Sequence, residues 1–334
     1  MKNNYYVKPY EYNAFADIVI SDHQDYKAWN ANNYIQVFVT ELNNKTKDIY
    51  IDYLSGSVYG CIPILKIEDL SPDKINNPQQ VYDRIKLGLS QGYVYYTFLN
   101  HSYIPFYSKD LFDYEEHDVL INSKNSNEIK YIENLKGEYE LYEVNEEKIK
   151  ESFLNCNNNC VFELKSDKNM RYKFNLDSFI KMLYEYLYSK EPKDESVYFH
   201  KNGFYSEYFF GEKKSSALAY GIDSYSYIVE YVIKNINQKR NIDYRMFYLL
   251  KEHKHNMIDK ISYLVQHNYI HKDKAEKLME QFKNLENRLN TIMHIVMKYN
   301  YKLTSNVVDR VVGEIDILVK EDKKAFYDLY ISLS

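Results

Sequence analysis

The residue best suited to acid–base chemistry is His117, which lies between a polar segment and the apolar run Val119-Leu120-Ile121. A general base must be held in one place, and a histidine at the start of a strand is held in this way. Glu133 lies sixteen positions further along, so a hairpin of that length can return it opposite His117. Asn134 is the neighbouring alternative. The spacing predicts a histidine oriented by a carboxylate or an amide; an ordinary strand-edge histidine is the other interpretation.

The three cysteines offer fewer candidates for a nucleophile. Cys156 and Cys160 flank three asparagines, and we expect an ordinary loop thiol pair, because a zinc site needs four ligands and no second Cys/His pair is close in sequence. Cys61, in Tyr59-Gly60-Cys61-Ile62-Pro63, is either a nucleophile or a small buried apolar residue. So few cysteines predict a reducing compartment rather than a disulfide framework.

No other pattern in the sequence predicts a metal or cofactor site. His253 and His255 are two positions apart in a predicted helix. They therefore lie on different helix faces and cannot chelate one ion together. With nine glycines, the chain has little material for a loop that cradles phosphates. We expect neither a metal nor a cofactor.

Composition and charge exclude several classes of partner. The net charge is -5, and no basic stripe marks a nucleic-acid surface. No apolar run approaches the roughly 18 residues that a membrane-spanning helix needs. The first residues, Met1-Lys2-Asn3-Asn4-Tyr5-Tyr6, lack the apolar core of a secretion signal. We therefore expect a soluble, cytoplasmic protein that binds neither nucleic acid nor membranes.

The elements that must position His117 belong to a predicted antiparallel sheet with helices to one side, an α+β pattern. Asn77-Pro78 predicts a helix start, with Asn as the cap and Pro at the first helical position. Gly92 is suited to the end of that helix. Further helices are predicted over 12–29 and after Asn145 as far as Phe153. Strands, marked by β-branched and aromatic residues, are predicted at 33–40, 48–54, 93–100, 118–122, 128–134 and 138–144.

After about residue 167 the apolar period becomes helical. Leu176, Phe179, Leu183 and Leu187 follow a three-and-four spacing. Helices joined by short polar segments, as in a bundle, are predicted at 225–236, 243–266, 272–299 and 305–320. The chain of 334 residues therefore divides into two predicted domains, 1–165 and 170–334.

Several short motifs share an order that is found in a known family. Gln91-Gly92-Tyr93-Val94, Ser102-Tyr103-Ile104-Pro105 and His117-Asp118-Val119-Leu120-Ile121 follow one another, with Lys136-Gly137-Glu138-Tyr139 after them. Together with 248–254 and 260–264, they resemble the butirosin-biosynthesis-type, cysteine-peptidase-like proteins of bacterial peptide and antibiotic gene clusters. The resemblance implies a papain-like domain at 1–165, followed by an all-helical domain at 170–334. It also implies a nucleophilic cysteine at a helix N-terminus, with His117 and either Glu133 or Asn134 as its partners.

At the position that matches the family's nucleophile, this chain has an alanine. The family's cysteine lies in an Asn-Cys-aromatic-Ala stretch, which Asn13-Ala14-Phe15-Ala16 matches with Ala14 in place of the cysteine. A helix N-terminus and an imidazolium lower a thiol's pKa, but alanine cannot attack anything. Three explanations stay open: an engineered substitution, a natural inactive enzyme, or a shifted register with Cys61 as the nucleophile. Glu133, where the family usually has Asp, is a second departure.

The resemblance implies an acyl or peptidyl transferase of nonribosomal peptide or antibiotic biosynthesis. The acyl group would move from an acyl or peptidyl carrier protein to an amine or a peptide, through a thioester on the cysteine. His117 would move the proton, and Glu133 would orient His117. The alternative is a catalytically inactive papain-like module that binds a partner.

Overall fold

A computed structural model of the chain confirms the predicted α+β class. It describes residues 11–43, 48–54, 62–71, 77–105, 116–125, 127–134, 139–158, 160–191, 217–303 and 307–334. Within these residues there are nine α-helices and two sheets, of six and three strands, in which every strand pair is antiparallel. Among the described helices, none has the length and apolar character that crossing a bilayer requires.

The elements are numbered in chain order. The helices are α1 Glu11–Ile20, α2 Tyr26–Asn32, α3 Pro78–Ser90, α4 Glu146–Leu154, α5 Leu176–Leu187, α6 Ser224–Asn237, α7 Arg245–Gln266, α8 Lys272–Lys302 and α9 Val308–Leu333. The strands are β1 Val37–Asn43, β2 Asp48–Tyr53, β3 Leu65–Asp69, β4 Val94–Asn100, β5 Glu116–Asn125, β6 Glu128–Asn134, β7 Tyr139–Asn145, β8 Val161–Ser166 and β9 Ala219–Tyr220. Two short 3₁₀ turns cover His101–Tyr103 and Gly221–Asp223.

The chain forms two compact units that are discontinuous in sequence. The sheet unit contains Met1–Gln24 and Pro63–Arg171, and the helical unit contains Asp25–Ile62 and Tyr172–Ser334. The predicted domains, 1–165 and 170–334, were continuous and made the second one all-helical. The helical unit differs because β1 pairs with β2 on one side and with the distant β9 on the other. The strand β9 has only two residues and lies far from β1 in the sequence, so no periodic pattern predicts it.

The sheet unit is built on six strands in the order β3-β8-β4-β5-β6-β7. The four predicted consecutive strands are β4 to β7, and they lie side by side in that order. The helices α3 and α4 pack on one face through Val81, Ile85, Ile149 and Phe153, against an apolar cluster that includes Val119 of β5. Buried apolar side chains on two helices and a sheet face stabilise such a layer most.

Three local signals at the ends of α3 and α4 are found where the sequence predicts them. The Asn77 side chain accepts a hydrogen bond from the Gln79 amide, and the Asn145 side chain accepts one from the Glu147 amide. Gly92, with φ of 77°, follows α3 in the left-handed region that glycine adopts without strain. The predicted single helix over 12–29 is wrong, because α1 ends at Ile20 and the Ser21 hydroxyl bonds back to the Ile18 carbonyl at 2.8 Å.

The helical unit contains a buried ion pair. Lys254 of α7 and Asp322 of α9 are 2.7 Å apart, and both side chains are fully buried. The hydroxyls of Tyr186 and Tyr225 donate to the same oxygen, Asp322 Oδ2, at 2.7 and 2.9 Å. His253 donates from Nε2 to the Ile35 carbonyl at 2.8 Å. Side chains from α5, α6, α7 and α9 thus meet at one carboxylate.

Candidate functional site

His117 lies at the start of β5, where it pairs with Leu99 of β4, and a quarter of its side chain is exposed (25%). Its Nδ1 is 2.9 Å from Glu133 Oε1 on the neighbouring strand β6. The same nitrogen is 3.2 Å from the backbone carbonyl of Asp118. The structure therefore brings His117 and Glu133 together. Asn134, the alternative partner, ends β6 and pairs across the hairpin with Tyr139.

His101 is a third member of this group, and the sequence alone did not indicate it. It begins the 3₁₀ turn that follows β4 and is almost completely buried, with 4% of its surface exposed. Its Nε2 is 2.8 Å from Glu133 Oε1, the same oxygen that contacts His117. The two imidazole rings are 5.7 Å apart between centroids and 27° from parallel. No local pattern marks this residue, because only the folded sheet brings the end of β4 within reach of β6, across the intervening strand β5.

The turn that carries His101 is fixed by its neighbour. The Asn100 side chain accepts a hydrogen bond from the Ser102 amide at 3.0 Å. The Asn100 carbonyl accepts one from the Ser152 hydroxyl of α4 at 2.8 Å. Because these bonds satisfy the ends of a short turn, they hold the ring of His101 in a defined place.

The charges around His117 favour its protonated form. Burial alone would lower the pKa of His117, but the hydrogen bond to Glu133 and the charges of Asp118, Glu133 and Glu11 raise it to about 9. Burial would raise the pKa of Glu133, and the hydrogen bonds from His101 and His117 outweigh it and lower that pKa. At neutral pH the pair is therefore an imidazolium and a carboxylate.

Asp118 and Glu11 place two more carboxyl groups beside this ion pair. Asp118 Oδ1 is 3.8 Å from His117 Nδ1, and the Tyr96 hydroxyl donates to Asp118 Oδ2 at 3.2 Å. Burial raises the pKa of Asp118. Glu11, the first residue of α1, has a carboxylate oxygen within 4.8 Å of the ligand atoms of His117 and Asp118. The N-terminal turn of α1 thus reaches the start of β5.

Ala14, the position of the expected nucleophile, lies one turn after Glu11 on α1 and is fully buried. The next residue, Phe15, packs with its ring centroid 5.8 Å from those of Tyr96 and Tyr139. Since side chains alternate along a strand, Asp118 is on the sheet face that α1 covers, and His117 is on the opposite face with Val119. His117 and α1 therefore approach each other at the end of the sheet rather than across one face.

The cysteines described in the structure do not supply a nucleophile. Cys156 and Cys160 are both free and buried. Burial, together with the charge of Glu116, raises the pKa of Cys156 to about 12, and burial raises that of Cys160 as well. Such thiols are protonated and unreactive at neutral pH. Cys61, the alternative nucleophile, lies outside the described residues.

Among the residues that the structure describes, two groups of side chains have donor atoms close enough to hold a metal ion, although the sequence predicted no metal site. His101, His117 and Glu133 have donor atoms within 4.8 Å of one another, and Glu11, His117 and Asp118 form a second group that shares His117. The histidines considered from the sequence behave otherwise. His253 bonds to a backbone carbonyl, and His255 lies 3.5 Å from Glu286 with 55% of its side chain exposed.

Comparison with protein-family models finds no matching family, and comparison with curated proteins finds no matching relative. The basis for a functional assignment is therefore the geometry around His117, together with the sequence motifs that lead to it.

Proposed function

We propose that this chain is a papain-like, cysteine-peptidase-superfamily protein of the butirosin-biosynthesis type, and that residue 14 and the His117–Glu133 pair form its site for acyl or peptidyl transfer. The observation that carries the proposal is the 2.9 Å contact between His117 Nδ1 and Glu133 Oε1. A base whose Nδ1 is held by a carboxylate presents its Nε2 to a nucleophile in one tautomer, as the acyl-transfer triads require.

The chemistry requires a thiol at residue 14. In the Ala14→Cys form, the thiolate attacks the carbonyl carbon of a carrier-bound thioester, and a new C–S bond forms. The carrier's sulfur leaves and takes the proton of the His117 imidazolium. An amine then attacks the new thioester, gives a proton to His117, and displaces the thiolate as the amide forms. Glu133 holds the ring of His117 through both steps and stabilises its charge.

The second candidate function is a non-catalytic module that binds the acyl carrier or the acyl group without turnover. The observation in its favour is Ala14 itself, which is fully buried and has no group that can attack a carbonyl. The described cysteines Cys156 and Cys160 are buried thiols with raised pKa values and do not replace it. In this form His117 and Glu133 would orient a bound group.

Intact-protein mass spectrometry distinguishes the two functions. The Ala14→Cys variant, in a background with Cys61→Ala, is incubated with aminoacyl N-acetylcysteamine thioesters, which are small mimics of a carrier-bound acyl group. We expect one acyl adduct, which an added amine discharges. The matched control is Ala16→Cys, since Ala16 lies on the same helix and is equally buried. It should remain unmodified, as should Ala14→Cys combined with His117→Gln.

Two results would contradict acyl transfer. Ala14→Cys that forms no adduct with any such donor would leave only the binding module. Equal labelling of Ala14→Cys and Ala16→Cys would show that the reaction needs no site. If the Ala14 chain nevertheless binds the thioester donors, and His117→Gln weakens this binding, the binding module is the better assignment.

A further inference from the structure

We propose that His101 Nε2, His117 Nδ1 and Glu133 Oε1 form a binding site for a divalent transition-metal ion, with Zn²⁺ as the preferred ion. Glu133 Oε1 is 2.8 Å from the first nitrogen and 2.9 Å from the second. One ligand atom from each of the three residues lies within 4.8 Å of those of the other two. An ion at about 2.0–2.1 Å from each donor would take the place of the protons that these contacts now share.

The donor set selects the class of ion. Two imidazole nitrogens and one carboxylate oxygen are ligands of borderline ions such as Zn²⁺, whereas Mg²⁺ and Ca²⁺ take oxygen ligands almost exclusively. Three protein ligands leave a fourth coordination position for water or a bound ligand. A structural zinc site would instead be closed by a fourth protein donor, usually a cysteine, and the two described cysteines are Cys156 and Cys160, neither of which belongs to the group.

The sheet positions the three ligands before any ion binds. Glu133 and His117 lie on the adjacent strands β6 and β5, and His101 follows the next strand, β4. Glu133 is fully buried and His101 is 4% exposed, so neither side chain has to leave water when an ion arrives. A site on neighbouring strands loses little conformational entropy on binding.

Charge around the site also favours a cation. The carboxyl groups of Glu11 and Asp118 lie within 4.8 Å of His117, in addition to Glu133. Three carboxyl groups therefore surround two imidazoles. Asp118 is itself held by the Tyr96 hydroxyl at 3.2 Å, in the way that outer partners commonly orient the residues of metal sites.

Metal binding and the proposed acyl transfer use His117 differently. A metal ion on Nδ1 replaces the proton that Nδ1 otherwise donates to Glu133. The metal-bound ring of His117 is therefore not the base of an acyl-transfer site. The inference therefore does not rest on residue 14, and a failed acylation of Ala14→Cys leaves it unchanged.

The test uses the unsubstituted protein, which has Ala14 and carries no affinity tag, after a chelator has removed bound metal. This protein is called the Ala14 chain below. Co²⁺ is added and its visible absorption is followed, and Zn²⁺ is then used to displace it. We expect one Co²⁺ per chain, with the intense bands of a four-coordinate ion, and no displacement by Mg²⁺ or Ca²⁺. Each of His101→Gln, His117→Gln and Glu133→Gln should weaken binding by about 100-fold or more, since lost outer partners alone cost 10- to 100-fold.

The matched control is His23→Gln. His23 lies in the same unit, is also 4% exposed, and contacts the Asp167 carbonyl at 3.0 Å, away from the site. Its affinity for Co²⁺ should be unchanged. No saturable binding by the Ala14 chain, or binding that all three ligand variants retain, would overturn the proposal. If circular dichroism shows that a ligand variant is unfolded, the X-ray absorption spectrum of the Zn²⁺-loaded Ala14 chain decides: imidazole scattering supports the site, and sulfur or oxygen-only ligation contradicts it.

Discussion

His117 and His253 are histidines in buried charged clusters, yet their neighbours shift their pKa values in opposite directions. Burial and the charges of Lys254 and Lys260 lower the pKa of His253 well below its ordinary value. Burial acts on His117 in the same sense, but the hydrogen bond to Glu133 and nearby carboxylates raise its pKa to about 9. Because burial lowers the pKa of both rings, the sign of the neighbouring charge decides which of the two is neutral and which is charged.

The two clusters also differ in how completely their charges are satisfied. Lys254 and Asp322 are fully buried, and one carboxylate oxygen receives the ammonium and two tyrosine hydroxyls. His117 keeps a quarter of its side chain exposed and lies among more carboxylates than it can neutralise. The first arrangement specifies how four helices pack, and the second leaves a ring that a ligand can reach.

The largest effect is expected in the helical unit. Lys254→Met leaves the Asp322 carboxylate buried without its cation, so the free energy of unfolding should fall by about 3–5 kcal/mol. Urea unfolding monitored by circular dichroism measures it. Lys272→Met is the control, because Lys272 and Glu276 are exposed and 3.9 Å apart, and it should change stability by less than about 0.5 kcal/mol. Equal losses in the two variants would mean that the buried pair is not structural.

The opposite pKa shifts predict opposite pH dependences in the metal-free protein. The pKa of His117 is higher in the folded state, so its stabilisation is complete below about pH 6.5 and is lost as the pH rises through about 9. The free energy of unfolding should change by about 2–3 kcal/mol over this range, given the partial exposure of the ring.

The pKa of His253 is lower in the folded state, so its stabilisation is present above about pH 6.5 and is lost on acidification. Hydrogen exchange by mass spectrometry, at pH 6 and pH 9 after correction for intrinsic rates, separates the two units. Loss of protection in β5 and β6 at acid rather than alkaline pH would contradict the assignment for His117.

Removing the carboxylate next to His117 should remove most of its pKa shift. Glu133→Gln keeps the shape of the side chain but leaves only Asp118 and Glu11 to oppose burial, so the pKa of His117 should fall from about 9 by roughly two units. NMR titration of the imidazole protons measures this. Glu140→Gln is the control, since Glu140 pairs with Glu133 across the β6–β7 ladder but is exposed. Equal shifts in both variants would show that the general negative charge, not the Glu133 contact, sets the pKa.

Deletion of a single tyrosine hydroxyl in each of the two clusters should have the smallest effects on the free energy of unfolding. Tyr225→Phe removes a 2.9 Å bond to the fully buried Asp322, so we expect a loss of about 1.5–3 kcal/mol in the free energy of unfolding. Tyr96→Phe removes a 3.2 Å bond to Asp118, which is partly exposed, and we expect about 1 kcal/mol. Thermal unfolding of both variants measures the difference. A larger loss for Tyr96→Phe would reverse the distinction between the two clusters.

Local signals in the sequence were sufficient to predict most of the helices and strands of the sheet unit. The capping asparagines Asn77 and Asn145, and the strand at 128–134, depend only on neighbouring residues, and each is found where the sequence predicts it. The sequence does not predict the edge strand β3, because it is short and three of its five residues are charged. The strand β8, which lies between β3 and β4 in the sheet, was not predicted either. The helix predicted to end at Lys320 continues to Leu333, because the charged run around Asp322 includes a residue that the fold buries.

The candidate site could be predicted only in part. The hairpin spacing was enough to pair His117 with Glu133, because both residues belong to one local motif. His101 could not be found in this way, since its partner lies two strands away and its own turn has no periodic pattern. The sequence also could not show that strand alternation puts His117 and α1 on different sheet faces, because the relevant contacts come from the packing of Phe15.

Titration of a thiol placed at residue 14 shows whether residue 14 and His117 form one site. The ultraviolet absorbance of the thiolate is followed against pH in Ala14→Cys and in the equally buried Ala16→Cys, both with Cys61→Ala. We predict that the first thiol ionises at least one unit below the ordinary value of about 8.5, that adding His117→Gln abolishes this shift, and that burial raises the second. An Ala14→Cys thiol that ionises at or above about 8.5 would show that His117 does not act on residue 14, and the two residues would then not form one site.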